Sequence, residues 1–342
     1  MSGPAPKLTQ AQPEQRAAFH GLTPPVRSLT AVELINLKLP PLEAFLSPWL
    51  SQKCLAMVHS KRGVGKTHFG LGVADAVSSG SQFLGWKAEK ARRVLFLDGE
   101  MPVQLMQQRP SEQASRRGSI PELLRIVTPD LQDAPLPDLG TLAGQVEIDR
   151  VIEQWNADLV IVDNISCFVR SGGAENEAES WGFVSEWALA HRRAGRALIF
   201  IHHSGKSGAQ RGTSRREDLL DIVINLRRPN EYQEADGARF EVHFEKARSI
   251  FGDDIMPIEA KLERLPNDTL EWTWRAVDTI RTNSVLVLWE GGGVTITDIA
   301  REIGLNKSNV HRTLQAAMEA HQLTRPYPSK PRSKGGAGPA AK

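Results

Sequence analysis

Residues 54–67 read CLAMVHSKRGVGKT, and this stretch decides the fold. The apolar run at 54–59 predicts a buried strand, and the amphipathic pattern that follows Thr67 predicts a helix. Between them lies a glycine loop, in which Gly63 and Gly65 let backbone N–H groups turn toward an anion beside the positive end of the helix dipole. This order of strand, loop and helix is the context that a phosphate-binding P-loop requires.

Each residue type in this loop has a chemical role. We expect the Lys66 ammonium to reach the β- and γ-phosphates of ATP and the Thr67 hydroxyl to hold Mg²⁺. Ser60 stands where the pattern G-x-x-x-x-G-K-[ST] has its first glycine. A surface Gly/Lys turn that binds no nucleotide is the alternative interpretation. The predicted nucleotide-binding residues are Ser60, Lys61, Arg62, Gly63, Val64, Gly65, Lys66, Thr67 and Asp163.

A second apolar run, 158–163, ends in an acidic residue. Asp163 at the end of a buried parallel strand is typical of the carboxylate that supports Mg²⁺ in P-loop proteins, so the predicted Mg²⁺ ligands are Thr67 and Asp163. A P-loop hydrolase also needs a carboxylate that orients the attacking water. Asn164 follows Asp163, so that carboxylate has to come from another part of the chain.

Glu100 is the predicted general base. It lies just past the apolar run 93–98, and residues beyond the ends of parallel strands face the crevice that binds ligands. Asp98 is the second candidate, although its position also suits a structural role at the strand end. For Glu100 itself, the alternative role is that of an acidic residue in the first turn of a helix.

The spacing of the apolar runs predicts the fold class. Between residues 54 and 226, short apolar runs alternate with helix-like segments, which indicates an α/β protein with a mostly parallel sheet covered by helices on both faces. Three later runs within 240–277 predict an antiparallel meander. From 280 onward the pattern becomes helical.

The composition excludes wholesale disorder and fibrous proteins, because 40% of the 342 residues are hydrophobic and the net charge is only +2. No apolar run reaches the roughly 18 residues of a membrane span, and the N-terminus has no signal-peptide core, so we expect a cytoplasmic protein without membrane contact. Cys54 and Cys167 are expected to be reduced thiols rather than zinc ligands. Residues 281–342 carry nine Lys or Arg against four Asp or Glu, which hints at a polyanionic partner.

Residues 296–312 within this basic end have helix-turn-helix spacing. Ala300 allows the two helices to cross closely, Gly304 allows the turn, and Val310 reaches the core from the second helix. A small helical packing or oligomerisation module is the alternative. The predicted DNA-contacting residues of the second helix are Lys307, Ser308, Asn309, His311 and Arg312.

The P-loop, Glu100, Asp163 without a following Glu, and a strand that ends in His202-His203 together resemble the RecA-type ATPase core. The resemblance spans about residues 35–265 and extends to plasmid RepA helicases and DnaB-like hexameric helicases. It implies that strand 197–202 lies between the P-loop strand and the Asp163 strand. It also implies a homo-oligomeric ring, a hexamer, with single-stranded DNA in its channel.

The resemblance further implies roles for two segments near the sheet. His203 would sense the γ-phosphate and pass the signal to a DNA-binding loop; the alternative is a histidine that is hydrogen-bonded at the sheet edge. The glycine-rich loop 204–216 would face DNA and contact its phosphates through Lys206 and Arg211. A plain helix cap at Ser214 is the other interpretation of that loop.

Lys246 and Arg248 lie at alternate positions near the end of a late strand and therefore on one face. By the same resemblance, Arg248 is an arginine finger that reaches the γ-phosphate of the neighbouring subunit, and Lys246 is its companion. The alternative is a local ion pair with Asp253 or Asp254. If the finger interpretation is right, ATP hydrolysis requires assembly.

Three functions from different classes follow from these patterns. The first is a Mg²⁺-dependent ATPase of the ring-forming type that acts on DNA as a replicative helicase or translocase. The second is an ATP-switched DNA-binding regulator or loader, whose helix-turn-helix binds double-stranded DNA without unwinding it. A small-molecule kinase is disfavoured, because no acceptor-binding insert is visible. The predicted organisation is a disordered segment 1–27, an ATPase domain 28–279, a helix-turn-helix domain 280–324 and a basic disordered tail 325–342.

Overall fold

The structure, a computed structural model, describes residues 26–171, 177–204, 218–266, 269–320 and 322–327. Its contacts divide the chain into two units, Met1–Pro41 and Leu42–Lys342. Within the described ranges, none of the helices has the length and apolar character that crossing a membrane requires.

The first unit contains one short helix in its described part, α1 (Ala31–Ile35). The helix begins at Thr30, whose hydroxyl accepts the Glu33 N–H at 3.2 Å while the Glu33 carboxylate accepts the Thr30 N–H at 2.7 Å. This reciprocal capping box satisfies N–H groups that have no partner inside the helix. Every side chain of α1 is exposed.

The second unit contains the sheet and the helices that cover it. Its described strands are β1 (Ala44–Leu46), β2 (Leu50–Ser51), β3 (Leu55–Ser60), β4 (Gln82–Phe83), β5 (Trp86–Lys87), β6 (Val94–Asp98), β7 (Leu124–Val127), β8 (Leu159–Asp163), β9 (Ala197–His203), β10 (Ile222–Arg227), β11 (Arg239–Ala247), β12 (Ile258–Arg264) and β13 (Leu270–Ala276). Its described helices are α2 (Lys66–Ser79), α3 (Val103–Arg117), α4 (Leu142–Trp155), α5 (Ile165–Phe168), α6 (Glu177–Arg193), α7 (Val277–Gly291), α8 (Ile296–Ile303) and α9 (Lys307–Glu319).

Nine of these strands form one sheet in the order β13-β12-β11-β10-β3-β9-β8-β6-β7. The neighbours from β10 to β7 pair in parallel. The remaining three strands add in antiparallel fashion, which confirms the predicted meander. The strand that contains residues 197–202, β9, lies between β3 and β8, as the RecA-type resemblance implies. The carboxyl ends of β3, β6, β8 and β9 therefore meet at one edge of the sheet.

The sheet separates two apolar cores, because successive side chains of a strand point to opposite faces. Ala56 and Val58 of β3 face the core that includes Phe69 of α2, whereas Leu55 and Met57 face the core on the side of α4 and α6. All of these side chains are buried. A parallel sheet covered by helices on both faces, the predicted RecA-like α/β class, is thus confirmed.

The helices α7, α8 and α9 form the predicted helix-turn-helix unit around a separate small core. Gly304 takes a left-handed φ of +70° at the end of α8, and Val310 is fully buried. Tyr327 belongs to the same core, with its ring 5.3 Å from that of Trp289 in a T-shaped arrangement. The first helix of this unit begins at Val277, and its core extends from Val285 to Tyr327.

Candidate nucleotide site

The P-loop has the local structure that its glycines predict. β3 ends at Ser60, α2 begins at Lys66, and Gly63 and Gly65 between them take φ values of +75° and +118°. Gly65 is also required by space, because a Cβ there would lie 3.0 Å from the Phe240 ring. The loop therefore turns tightly into the N-terminus of α2, where free N–H groups favour an anion.

Lys66 is buried and bound to the loop itself. Its Nζ donates to the Ser60 carbonyl at 3.2 Å, to the Ser60 hydroxyl at 3.1 Å and to the Lys61 carbonyl at 3.0 Å. Burial lowers the pKa of this ammonium to about 8, against the opposing pull of Asp163 and Glu100. The hydroxyl of Ser60, at the position of the missing glycine, thus contributes an acceptor for Lys66.

Asp163 lies at the end of β8 and is also buried. The Thr67 hydroxyl hydrogen-bonds to its carboxylate, while its Oδ2 has no partner among the described residues. Burial, together with the like charges of Asp98 and Glu100, raises the pKa of Asp163 to about 6. A hydroxyl and a partly unpartnered carboxylate are hard oxygen donors of the kind that Mg²⁺ prefers, so these two residues fit that ion.

No group of three or more His, Cys, Asp or Glu side chains in the described part of the chain is placed to hold a metal ion. Cys54 is buried and Cys167 is half-buried, and both are free thiols.

Glu100 lies in the loop between β6 and α3, with half of its side chain exposed. Its Oε1 is 3.5 Å from His203 Nε2 and 3.6 Å from Cys167 Sγ. Burial opposes ionisation, but hydrogen bonds from Asn164 and Cys167 help to outweigh it, and the pKa of Glu100 is lowered. This carboxylate is therefore ionised at neutral pH, as a base has to be.

Asp98 has a different environment. Its carboxylate accepts the backbone N–H groups of Glu100 and Met101 at 3.2 to 3.3 Å and the Thr128 hydroxyl at 3.1 Å. Both oxygens are thus occupied in holding the loop that carries Glu100. This arrangement favours Glu100 as the base and a structural role for Asp98.

His203, the last residue of β9, faces the same cavity as the P-loop. Burial and the nearby Lys66 charge lower its pKa below the ordinary value of 6.5, so the ring is neutral at pH 7. Its Nε2 is 3.0 Å from Asn164 Nδ2. The fold therefore brings Lys66, Thr67, Asp163, Glu100 and His203 together at one edge of the sheet.

The cavity at this edge measures about 500 Å³ and is lined by residues that the sequence patterns did not indicate. Arg109 comes from α3, and its Nη1 has no partner among the described residues although burial lowers the pKa of the guanidinium. The signal that could have indicated Arg109 is its position in α3, the helix that follows Glu100, nine residues further along the chain. The unpredicted lining residues are His68, Met101, Arg109, Tyr232, Gly237 and Ala238.

Tyr232 belongs to residues 228–238, a segment that connects β10 to β11. Arg228 stacks over the Tyr232 ring at 4.2 Å and donates from Nη2 to the Gly63 carbonyl at 3.1 Å. The segment is thereby fixed to the P-loop. On its other side, a Cβ at Gly304 of the helix-turn-helix would lie 2.4 Å from Asn230 Nδ2, so the Asn230 side chain lies directly against the Gly304 backbone.

Lys246 and Arg248 do not reach this site within one chain. The neighbouring Ala247 pairs with Ile222, which in turn pairs with Ala56 near the start of β3. The P-loop begins at Ser60, about 13 Å further along the strand at 3.3 Å per residue. The two cations thus lie near the amino ends of the parallel strands, whereas the nucleotide site lies at their carboxyl ends.

The local partners of Arg248 also differ from the alternative expected from the sequence. Its Nη2 donates to the Asp218 carbonyl at 3.0 Å, and its Nη1 lies 3.6 Å from Asp221 Oδ1. The expected ion pair with Asp253 or Asp254 is thus replaced by one with Asp221. About half of the Arg248 side chain remains exposed.

The predicted DNA contacts are only partly described. Lys206 and Arg211 lie outside the described residues. On α9, the side chain of His311 is exposed, and its Nδ1 contacts the Tyr327 hydroxyl. The side chains that are free to meet a partner at the start of this helix are the exposed Lys307, Ser308 and Arg312 and the half-buried Asn309.

Two segments of the chain match known domain families. Residues 288–325 match the IclR helix-turn-helix domain. A similar solved structure is that of a KaiC-like protein from the archaeon Pyrococcus horikoshii, at 15% identity and a TM-score of 0.43 over 66% of this chain and 93% of that chain. No curated protein matches. Residues 23–209 match the AAA domain, and because that match spans more than half of the chain and includes the P-loop, the chain belongs to the AAA domain family of ATPases.

Proposed function

We propose that this chain is a Mg²⁺-dependent ATPase that acts on DNA, in the manner of plasmid and DnaB-like replicative helicases. The observation that carries the proposal is the convergence of Lys66, Thr67, Glu100 and His203 around one cavity, with Asp163 hydrogen-bonded to Thr67, in a chain that also carries a helix-turn-helix. The proposed domains are 28–279 for ATP hydrolysis and 280–324, extended to Tyr327, for DNA.

Each site residue has a separate role in phosphoryl transfer. The P-loop N–H groups and Lys66 bind the β- and γ-phosphates, and Thr67 with Asp163 would hold Mg²⁺. Mg²⁺, when bound, neutralises charge on the phosphates. Glu100 accepts a proton from the water that attacks the γ-phosphorus, and His203 donates a hydrogen bond to a γ-phosphate oxygen.

The position of Lys246 and Arg248 supports ring assembly. These cations lie about 13 Å along the strand from their own P-loop, so a role in ATP hydrolysis would require the site of a neighbouring copy. We propose that Arg248 leaves Asp221 and contacts the neighbour's γ-phosphate in a hexameric ring. Single-stranded DNA in the channel would then contact the segment 204–216, which contains Lys206 and Arg211.

A second function is favoured by one contact. The close approach of Asn230 to Gly304 joins the helix-turn-helix to a segment that lines the nucleotide cavity. ATP binding could thereby change affinity for a double-stranded site without strand separation. In that case the chain is an ATP-switched DNA-binding regulator or loader.

Three measurements separate these functions. ATP turnover with and without single-stranded DNA tests the motor, the mass in the presence of ATP tests the ring, and strand separation on forked DNA tests the helicase. The helicase predicts DNA-stimulated turnover by an oligomer and unwinding that is lost in Lys66→Ala. Turnover that DNA does not stimulate, by a chain that stays monomeric with ATP, would overturn the motor, and turnover without unwinding would leave the regulator.

A further inference from the structure

Asn164 follows Asp163 directly, at a position where the site has no carboxylate. Its side chain is completely buried. It is the N-cap residue of α5, where its Oδ1 accepts the Ser166 N–H at 2.9 Å. Only the oxygen of an amide side chain can accept a hydrogen bond from a backbone N–H. The orientation of the amide is therefore fixed, and its Nδ2 must point to the other side, into the nucleotide site.

Two acceptors meet this Nδ2. His203 Nε2 lies 3.0 Å away, and the Glu100 carboxylate forms a hydrogen bond with the same amide. An amide nitrogen carries two hydrogens, so one is available for each partner. Asn164 thus joins Glu100 to His203 in addition to capping α5.

The amide also determines the tautomer of His203. A nitrogen that receives a hydrogen bond from Asn164 must present its lone pair, so the single proton of the neutral ring lies on Nδ1. Without Asn164, His203 Nε2 could carry that proton and donate it directly to Glu100 Oε1, 3.5 Å away. Nδ1 is buried and has no hydrogen-bond partner among the described residues, so its N–H is not used within the described part of the protein.

We propose that Asn164 is a positioning residue that holds Glu100 and His203 in one hydrogen-bonded unit and commits His203 to the Nδ1–H tautomer. This rests on the proposed ATPase site. Asn164 keeps the Nε2–H of histidine away from Glu100, which leaves the carboxylate as an acceptor for the attacking water. It also leaves Nδ1–H as the single N–H donor of the neutral His203 ring.

Two variants preserve the cap and remove the amide hydrogens. Asn164→Asp keeps the shape and the acceptor for Ser166 N–H, and Asn164→Ser keeps a capping oxygen without adding charge. We expect both to lower kcat at least tenfold with the KM for ATP changed less than about twofold, because ground-state binding by the P-loop is left intact. A merely capping role would leave kcat unchanged in both variants.

The second readout is the nitrogen-15 NMR signature of the His203 ring in the nucleotide-free protein, assigned by its loss in His203→Gln. We expect the Nδ1–H form in the wild type and the Nε2–H form in Asn164→Asp and Asn164→Ser. An Nε2–H form in the wild type, or wild-type kcat in Asn164→Ser, would overturn the proposal. A wild type without ATPase activity would refute the proposed function. The tautomer does not depend on turnover, so the nitrogen-15 NMR signature would still decide the role of Asn164.

Discussion

At the scale of single residues, the site is built from buried groups whose ordinary hydrogen bonds are incomplete. Asp163 Oδ2 and Arg109 Nη1 have no partner among the described residues, although both atoms are inaccessible to water. Such groups cost free energy in the folded protein unless a ligand satisfies them. Arg109 lines the nucleotide cavity and Asp163 is hydrogen-bonded to Thr67, which also lines it, so we expect ligand binding and stability to be coupled here.

Asp163→Asn should stabilise the ligand-free protein at pH 7 and abolish its response to Mg²⁺. The folded pKa of about 6 lies above the ordinary 3.8, so ionisation is disfavoured in the folded state. The cost is absent below pH 3.8, grows between pH 4 and 6, and reaches about 2–3 kcal/mol above pH 6. Urea unfolding at pH 4 and pH 7 measures the difference between variant and wild type. Equal stability at pH 7 would contradict it.

Glu100→Gln should lower ATP turnover at least about 10²-fold while the Kd for ATP stays within a few-fold, because the loss of a general base affects the chemical step. Lys66→Ala should instead lose nucleotide binding. Glu122→Gln, an exposed acidic residue before β7, is the matched control. Fluorescent-nucleotide titration and phosphate release separate binding from chemistry. An unchanged rate in Glu100→Gln would transfer the role of base to Asp98.

At the scale of elements, the helix-turn-helix is completed by the chain that follows it. Arg325 donates from Nη1 to the Trp289 carbonyl at 2.8 Å and stacks on the Trp289 ring, while Thr324 and Arg325 donate N–H groups to Glu290. Tyr327 then covers the same ring. The segment thus occupies the place where the sequence predicted only a tail.

Ending the chain after Thr324 should therefore expose the core of the helix-turn-helix, whereas ending it after Tyr327 should not. Removal of one buried aromatic ring and one stacked arginine corresponds to about 2–4 kcal/mol of local stability. Hydrogen exchange of α7, α8 and α9 should accelerate at least tenfold in the shorter chain alone. Equal protection in the two truncated chains would show that residues 325–327 do not hold the unit together.

Secondary-structure elements differ in how far the sequence predicts them. The P-loop, the strands and the helix-turn-helix were predictable, because glycine positions, apolar runs and caps are local signals. The position of β9 came only from the family resemblance, since strand order depends on contacts between distant segments. Arg109 and Tyr232 were missed because no local pattern distinguishes them, and the aromatic Tyr327 was hidden between two prolines in a segment that looked like a tail.

At the scale of the whole molecule, the opposite positions of Lys66 and Arg248 predict complementation between subunits. A Lys66→Ala subunit binds no ATP but supplies Arg248, and an Arg248→Ala subunit has the reverse defect. Mixing the two inactive variants should restore ATP turnover to a measurable fraction of wild type, because some interfaces then contain both groups. Steady-state hydrolysis over a series of mixing ratios measures it. Activity that never exceeds that of either variant alone would argue against a shared site.

The contact between Asn230 and Gly304 predicts that ATP and DNA change each other's affinity. Asn230→Ala removes the contact without touching the P-loop or the core of the helix-turn-helix, so each ligand alone should bind as in the wild type. The coupling factor, about tenfold for a typical allosteric pair, should fall toward one. Glu234→Ala, exposed in the same segment, is the control. Nucleotide titrations with and without duplex DNA measure the factor, and an undiminished value would exclude this route.

The three oxygens that hold Lys66 in the ligand-free loop have a kinetic consequence. An incoming anion must displace the ammonium from the Ser60 carbonyl, the Ser60 hydroxyl and the Lys61 carbonyl before it can use it. A triphosphate offers enough charge and enough other N–H contacts to complete that exchange, whereas a lone phosphate offers little in return. The Lys66 contacts should therefore slow the binding of inorganic phosphate more than the binding of a triphosphate.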